Sequence, residues 1–327
     1  MRFLKILAIL TALILAAFCL VSCKDEEPVV QKDVYYNVTF NTAGGNEIPS
    51  IRVLGGSKIS EPDVPARAGF IFNGWMNGTV KWNFDSDTVN SNITLVASWI
   101  NAKTQFDYEI RDGAVVIMGY KGTERTVTIP RFIDGMEVNT IGEGAFSNVN
   151  SDTLIKITVE DNIKSIEKSA FENCTGVEII IEGEIQSIGD RAFFGCEGLE
   201  SITLGDGVKS VPYAAFGGCI TLRDITMKSV ETIEENAFEG CEALSAITLS
   251  SKLRTVTDSA FLDCDALESV YYYGSEDEWK DTDISCGNAG NDALIDAELY
   301  IYSELEPEGQ AENKYWYIDD NGNKRLW

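Results

Sequence analysis

The 327-residue chain contains no histidine. That absence removes Ser-His-Asp and Cys-His triads, whose base is an imidazole, and every metal site that needs a histidine ligand. Basic residues are scarce, 26 Lys and Arg against 52 Asp and Glu, for a net charge of −26. Nucleic-acid binding depends on neutralising phosphates with Lys and Arg, so the balance argues against it; such a charge instead keeps a protein soluble. No phosphate-cradling glycine loop is present, and no pair of carboxylates stands in a glycosidase-like motif. A carboxylate-based hydrolase is therefore the weakest class, and neither a cofactor nor a metal is expected. The one long apolar stretch, residues 6–21, falls short of the roughly 20 residues that span a bilayer.

What the chain has is repetition. A phrase of the form apolar-x-Ser/Thr-apolar-x-x-x-Ala-Phe-x-x-Cys-x-x-Leu-x-x-Ile-Thr-Leu returns six times between residues 138 and 272. Its anchors Phe146, Phe171, Phe193, Phe216, Phe238 and Phe261 are 25, 22, 23, 22 and 23 residues apart. A period of that length is the signature of a solenoid. One unit carries a handful of large apolar side chains, each worth roughly 1.5–3 kcal/mol when buried. Ordering its backbone costs about 1–2 kcal/mol per residue, so the unit must stack on its neighbours. The triplets Ile157-Thr158-Val159, Ile202-Thr203-Leu204, Ile225-Thr226-Met227 and Ile247-Thr248-Leu249 alternate in-out-in, the period of a half-buried strand. One short strand per coil is expected to pair with the next, about 4.8 Å away.

Cys174, Cys196, Cys219, Cys241 and Cys264 occur once per coil at one phase and predict a ladder inside the stack. Neighbouring Cα atoms would be within disulfide range, but parallel Cβ vectors fit the bond's dihedral poorly. Buried free thiols are expected, with a disulfide as the alternative; a ladder does not converge four ligands on a metal. Cys286 lies outside it. On the outward side of the strands, Thr158, Thr203, Thr226, Thr248 and Tyr271 form the central row, flanked by Glu200, Arg223, Asp224 and Glu268. Threonine suits a strand and packs across it, which is a sufficient structural reason for the row. A run of hydroxyls ending in a tyrosine could equally dock a protein or a glycan.

The Ala-Phe-x-x-Cys-x-x-Leu core has a lead-in through Asp112-Gly113, Ile129-Pro130, Ile133-Asp134-Gly135 and Ile141-Gly142, and an exit at Val270-Tyr271-Tyr272-Tyr273-Gly274-Ser275 with Trp279. Together these resemble the BspA-type leucine-rich repeats of bacterial surface proteins, over roughly residues 106–303. The resemblance implies a mostly β chain with a leucine-rich-repeat solenoid of about six to seven coils. The first copy departs from the pattern, with Val149 in place of cysteine, as terminal coils do. Ahead of it, Gly69-Phe70-x-Phe72-x-Gly74-Trp75, Trp82-x-Phe84 and Ile93-Thr94-Leu95-x-Ala97-x-Trp99 resemble the Listeria-Bacteroides repeat, a small β-grasp-like module. About 65 residues is marginal for a core, so Phe40, Phe70, Phe72, Trp75, Trp82, Phe84 and Trp99 are expected to supply it. An aromatic sugar platform is the alternative.

Arg2 and Lys5, the apolar stretch and Leu20-Val21-Ser22-Cys23 make a targeting leader. Its end resembles a bacterial lipobox, which implies cleavage before Cys23, acylation of the Cys23 thiol and attachment to a membrane through the lipid. The chain is then expected to divide into a signal peptide (1–22), a tether (23–34), the β-grasp-like domain (35–100), the capped solenoid (101–303), and an acidic linker with a β-hairpin (304–327). In the last segment Asn321-Gly322 between aromatic runs is a hairpin signal. The aspartates there also suggest part of a calcium loop, without its distal glutamate, and the stretch resembles a single choline-binding repeat. The function expected is a lipid-anchored protein of the bacterial cell surface. It would mediate adhesion or protein-protein interaction through the solenoid, its ligand a host or bacterial surface protein, or a glycan.

Overall fold

The computed structural model describes residues 33–285, 290–305, 307 and 314–327. The leader, Cys23, all of the tether before Asp33, and Cys286 lie outside the described residues. The fold is mostly β, in a small sheet followed by a curled, repeating one.

The first sheet is built from β1 (Tyr35–Asn41), β2 (Ile51–Leu54), β3 (Phe70–Asn77), β4 (Val80–Lys81) and β5 (Ile93–Asn101), in the order β2-β1-β5-β3-β4. The central pair, β1 and β5, is parallel, and the other pairs are antiparallel, a β-grasp-like arrangement. Alternation along β1 turns Val38 and Phe40 inward, where they meet Trp75, Leu95 and Ala97 in one apolar cluster. Phe40 and Phe72 both meet Trp75 edge-on, at 5.0 and 5.4 Å, and Phe72 meets Trp99 at 5.6 Å. Phe40, Trp75 and Trp82 are buried, and Phe72, Phe84 and Trp99 pack against that cluster, so these aromatics supply the core. Phe70 instead faces the Arg67 guanidinium, 4.0 Å from its ring centre.

The seam to the solenoid is short. Ile71 packs against the solenoid core, and Gly69 N–H and the Tyr108 hydroxyl, at 3.2 Å, both donate to the Asp134 carboxylate. Asp134 occupies a turn that needs two left-handed residues in succession, which Asp-Gly tolerates: φ is 57° at Asp134 and 76° at Gly135. Asp112-Gly113 does the same between the antiparallel strands Phe106–Arg111 and Ala114–Tyr120.

From there each coil repeats one geometry. The six phenylalanines are buried and stack ring on ring, with centroids 5.3, 5.1, 5.5, 5.3 and 5.0 Å apart. A left-handed residue stands two places before each ring (Gly144, Ser169, Arg191, Ala214, Asn236, Ser259). Another stands two places after it (Asn148, Asn173, Gly195, Gly218, Gly240, Asp263). These bends wrap the backbone around the ring and aim its polar groups along the stack. Phe146, Phe171, Phe193, Phe216 and Phe238 each donate N–H at 2.8 Å to the alanine carbonyl before the next coil's phenylalanine. The five cysteines are buried and unpaired. Each thiol donates to the phenylalanine carbonyl of the preceding coil at 3.0–3.2 Å, a favourable use for a weak donor inside a core. Burial pushes the Cys196 and Cys219 thiols well above the ordinary cysteine range.

The strand ladders are less regular than the phenylalanine column. Glu178–Ile181 pairs back with Lys156–Val159, but its forward contact is the single bridge Ile179↔Leu199. Ser201–Leu204 pairs instead with the two-residue strand Glu184–Ile185 and then continues the main ladder. On the opposite wall, Ser187–Ile188 ends one sheet and Ser210–Val211 begins another. Around the Phe193 coil both ladders change partners while the ring stack runs through.

Candidate functional site

The main ladder runs through Ser201–Leu204, Asp224–Met227, Ala246–Leu249, Ser269–Tyr272 and Glu298–Tyr302, all parallel. Alternate residues Ile202, Ile225, Ile247 and Val270 point into the core. The intervening positions point outward and register as Thr203↔Thr226↔Thr248↔Tyr271↔Tyr300. Four of the five residues singled out from the sequence thus lie side by side. The fifth, Thr158, belongs to a separate three-stranded sheet and faces Thr128 and Ile180. Thr158, Thr203, Thr226 and Tyr271 are half-buried, and the flanking Glu200, Arg223 and Glu268 are exposed. Thr248 departs from an open row: it is 1% exposed, and its hydroxyl has no hydrogen-bond partner.

The C-terminal hairpin packs on this part of the face. Tyr315–Ile318 pairs parallel with Glu298–Tyr302 at two positions, Ile301↔Tyr315 and Tyr302↔Trp316, and antiparallel with Lys324–Leu326. The hairpin then lies over the outward face. Trp316, fully buried, sits among the rings of Tyr271, Tyr273 and Tyr302 at 5.5, 4.8 and 5.1 Å, and its Nε1 donates to Tyr272 O at 3.4 Å. Lys324 Nζ lies 3.0 Å from both Asp224 carboxylate oxygens and 5.1 Å from the Tyr271 ring centre. The strand bearing Thr248 runs between those bearing Asp224 and Tyr271, so an ammonium that touches both passes over it.

At the hairpin's tip the Asp319 carboxylate accepts from the backbone N–H groups of Asn323 and Asn321 at 2.8 and 3.0 Å and from Arg325 Nε at 3.0 Å. These donors, the Asn323 N–H foremost, hold Asp319 down at about 2. Asp319 is engaged by its own turn, which has Gly322 at φ 81°.

Tyr300, Tyr302, Trp316 and Lys324 join the site without having been singled out from the sequence, and Asp224, expected only as a flank of the threonine row, is the carboxylate that Lys324 meets. Tyr271 and Tyr273, like Tyr300 and Tyr302, stand two apart on neighbouring strands; that spacing, read as strand alternation, places four rings on one face. Tyr271 and Tyr300 stack at 5.2 Å. The Tyr300 hydroxyl donates to Glu298 at 2.7 Å, which with burial raises it to about 12. Elsewhere, a cleft of about 740 Å³ at the seam is lined by Phe70, Phe72, Phe106, Tyr120, Arg131 and Phe132, among others. Among the described residues no group of three or more Cys, Asp or Glu is placed to hold a metal ion, and no helix is long and apolar enough to cross a membrane.

Comparison with known proteins gives two family matches. The BspA type leucine rich repeat region matches in six copies over residues 125–227 and 176–282. The Listeria-Bacteroides repeat domain matches residues 36–98. Two Evansella cellulosilytica proteins, both named as membrane proteins, are 33% and 36% identical over 84 and 85 residues. Each alignment takes in 25% of this chain but only 10% and 13% of those much longer relatives. Among solved structures, a leucine rich cell surface protein of Faecalibacterium prausnitzii is 26% identical, covering 55% of this chain and 41% of that one, with a TM-score of 0.39. A leucine-rich repeat protein of Eubacterium ventriosum is 23% identical, covering 71% and 56%, with a TM-score of 0.44. The chain therefore carries a Listeria-Bacteroides repeat domain followed by a BspA-type leucine-rich-repeat solenoid.

Proposed function

We propose that this is a bacterial cell-surface protein that binds a protein partner through the outward strand face of its solenoid and is held to a membrane by a lipid on Cys23. One observation carries the reading of the face: Thr203, Thr226, Thr248, Tyr271 and Tyr300 stand in register across five parallel strands, and Thr203, Thr226 and Tyr271 of that row are partly open to solvent. Solenoids present this kind of extended, repeating surface to partners. The division into a tether (23–34), a β-grasp-like domain (35–100), a solenoid (101–303) and a linker with hairpin (304–327) belongs to the same proposal. So does the anchor, supported by Leu20-Val21-Ser22-Cys23 at the end of the apolar leader.

Capture of surface proteins by the fragment from Lys24 onward, compared with its Thr203→Ala/Thr226→Ala variant, tests the face. The variant is expected to stay folded and lose its partner; a folded variant that captures normally refutes the assignment. A glycan array with the same fragment distinguishes the alternative ligand class. For the anchor, Cys23→Ala should abolish labelling by a fatty-acid analogue, and retained labelling refutes it.

A further inference from the structure

We propose that the tyrosine face beneath the C-terminal hairpin recognises a polypeptide segment presenting an aromatic ring and a cation, and that the chain's own hairpin occupies this site as an internal competitor. The inference rests on reading the outward strand face as the binding surface.

The hairpin is not simply the next rung of the ladder. It pairs with the last solenoid strand at two positions only and then turns onto the outward face, reaching Asp224 three strands further in. Its attachment has two parts. The Trp316 indole fills the space between Tyr271, Tyr273 and Tyr302, and the Lys324 ammonium bridges Asp224 and the Tyr271 ring. A tyrosine-lined hollow beside a carboxylate suits a ring and a cation.

The fit is incomplete. The Thr248 hydroxyl is shut away from water with no partner, although buried polar groups are nearly always paired. A segment that carried a polar group to this point would complete what the hairpin leaves unmet. The Lys324–Asp224 pair is also partly exposed, with side chains at 24% and 46%, so salt weakens it. A tethered segment works at an effective concentration of about millimolar, enough to exclude a free peptide of moderate affinity while yielding to a better one.

The probe is a fluorescent synthetic peptide of residues 314–327, measured by anisotropy against the full chain without its leader. Two chains are compared: wild type and an opened variant, Trp316→Ala/Lys324→Ala. The opened variant is expected to bind the peptide at least about tenfold more tightly than wild type, because its own hairpin no longer competes. Adding Asp224→Asn should remove most of that binding. Raising salt from about 0.05 to 0.5 M should weaken it severalfold. Circular dichroism checks the fold; should the double variant melt early, Lys324→Ala alone must still raise peptide binding about threefold over wild type. Equal binding by the two chains, no binding by a folded opened variant, or uptake of a soluble glycan in place of the peptide each overturn the inference. Capture of a protein partner through the threonine row with no peptide binding would remove the competitor and leave the surface assignment standing.

Discussion

The solenoid and the β-grasp-like sheet bury the same kind of ring in opposite ways. Along the solenoid the phenylalanine planes differ by 2–17° and each ring stacks on its neighbours in the column. In the small sheet Trp75 meets Phe40 and Phe72 edge-on, at 64° and 65°. Isolated aromatic pairs accept edge-to-face or offset-stacked contacts; in the solenoid the translation from coil to coil selects the second. Stability is therefore distributed along a line in one region and gathered at a centre in the other.

Two substitutions of similar size should separate these regions. Trp75→Ala and Phe216→Ala each remove a buried ring, at a cost of about 3–5 kcal/mol. For a sheet of about 65 residues that is most of its stability, so hydrogen exchange should accelerate across β1, β3 and β5 together while the solenoid keeps its protection. Phe216→Ala should instead open the Phe193, Phe216 and Phe238 coils, and uniform loss from Phe146 to Phe261 would show that the array is one cooperative body.

The thiol ladder sharpens the picture at smaller cost. Cys219→Ala deletes the sulfur and its bond to Phe193 O and should cost about 1–2 kcal/mol by chemical denaturation. In the wild type the five ladder thiols should resist an aromatic disulfide reagent until the chain is unfolded without reductant, when all five react. Fewer than five would reveal a disulfide.

Within the outward row, Thr226→Ala and Thr203→Ala should each shift stability by no more than about 0.5 kcal/mol. Thr248→Val is expected to stabilise by up to about 1 kcal/mol, since it removes a buried hydroxyl without a partner and keeps the shape. A loss there would mean that the hydroxyl is satisfied in solution.

The smallest effect concerns the hairpin's tip. Asp319 is held at about 2, below the ordinary aspartate value near 3.9. Its contribution is thus complete above about pH 4 and disappears as pH falls toward 2. The Asn323 amide resonance should follow that titration, and in Asp319→Asn it should not.

Much of this was legible in the sequence, for a physical reason: a period imposes itself on every copy. The anchors Phe146 to Phe261, the cysteine phase and the Ile-Thr-Leu strands could all be placed because each is repeated. The bend after each ring has a signal that the sequence reading passed over, since Asn, Gly and Asp accept left-handed backbone cheaply. The bend before it has none, because Arg191 and Ala214, which carry no such preference, adopt the same backbone with φ of 55° and 50°. Thr226 and Thr248 sit in near-identical triplets, yet Thr226 stands between two threonines and Thr248 beside Tyr271, on which the hairpin packs. Lys324 reaches this face from 100 residues beyond Asp224, and a contact made once leaves no periodic trace.

The one-way hydrogen bonds from each phenylalanine N–H to the next coil also have a mechanical meaning. A pull along the stacking axis would place every coil junction in series, so each carries the whole force. The junctions that yield first should be those flanking the Phe193 coil, where Glu178–Ile181 meets the following coil through a single bridge and, on the opposite wall, one sheet ends at Ser187–Ile188 and another begins at Ser210–Val211. Stretching single molecules would then release the chain on either side of Phe193 before any other coil lets go.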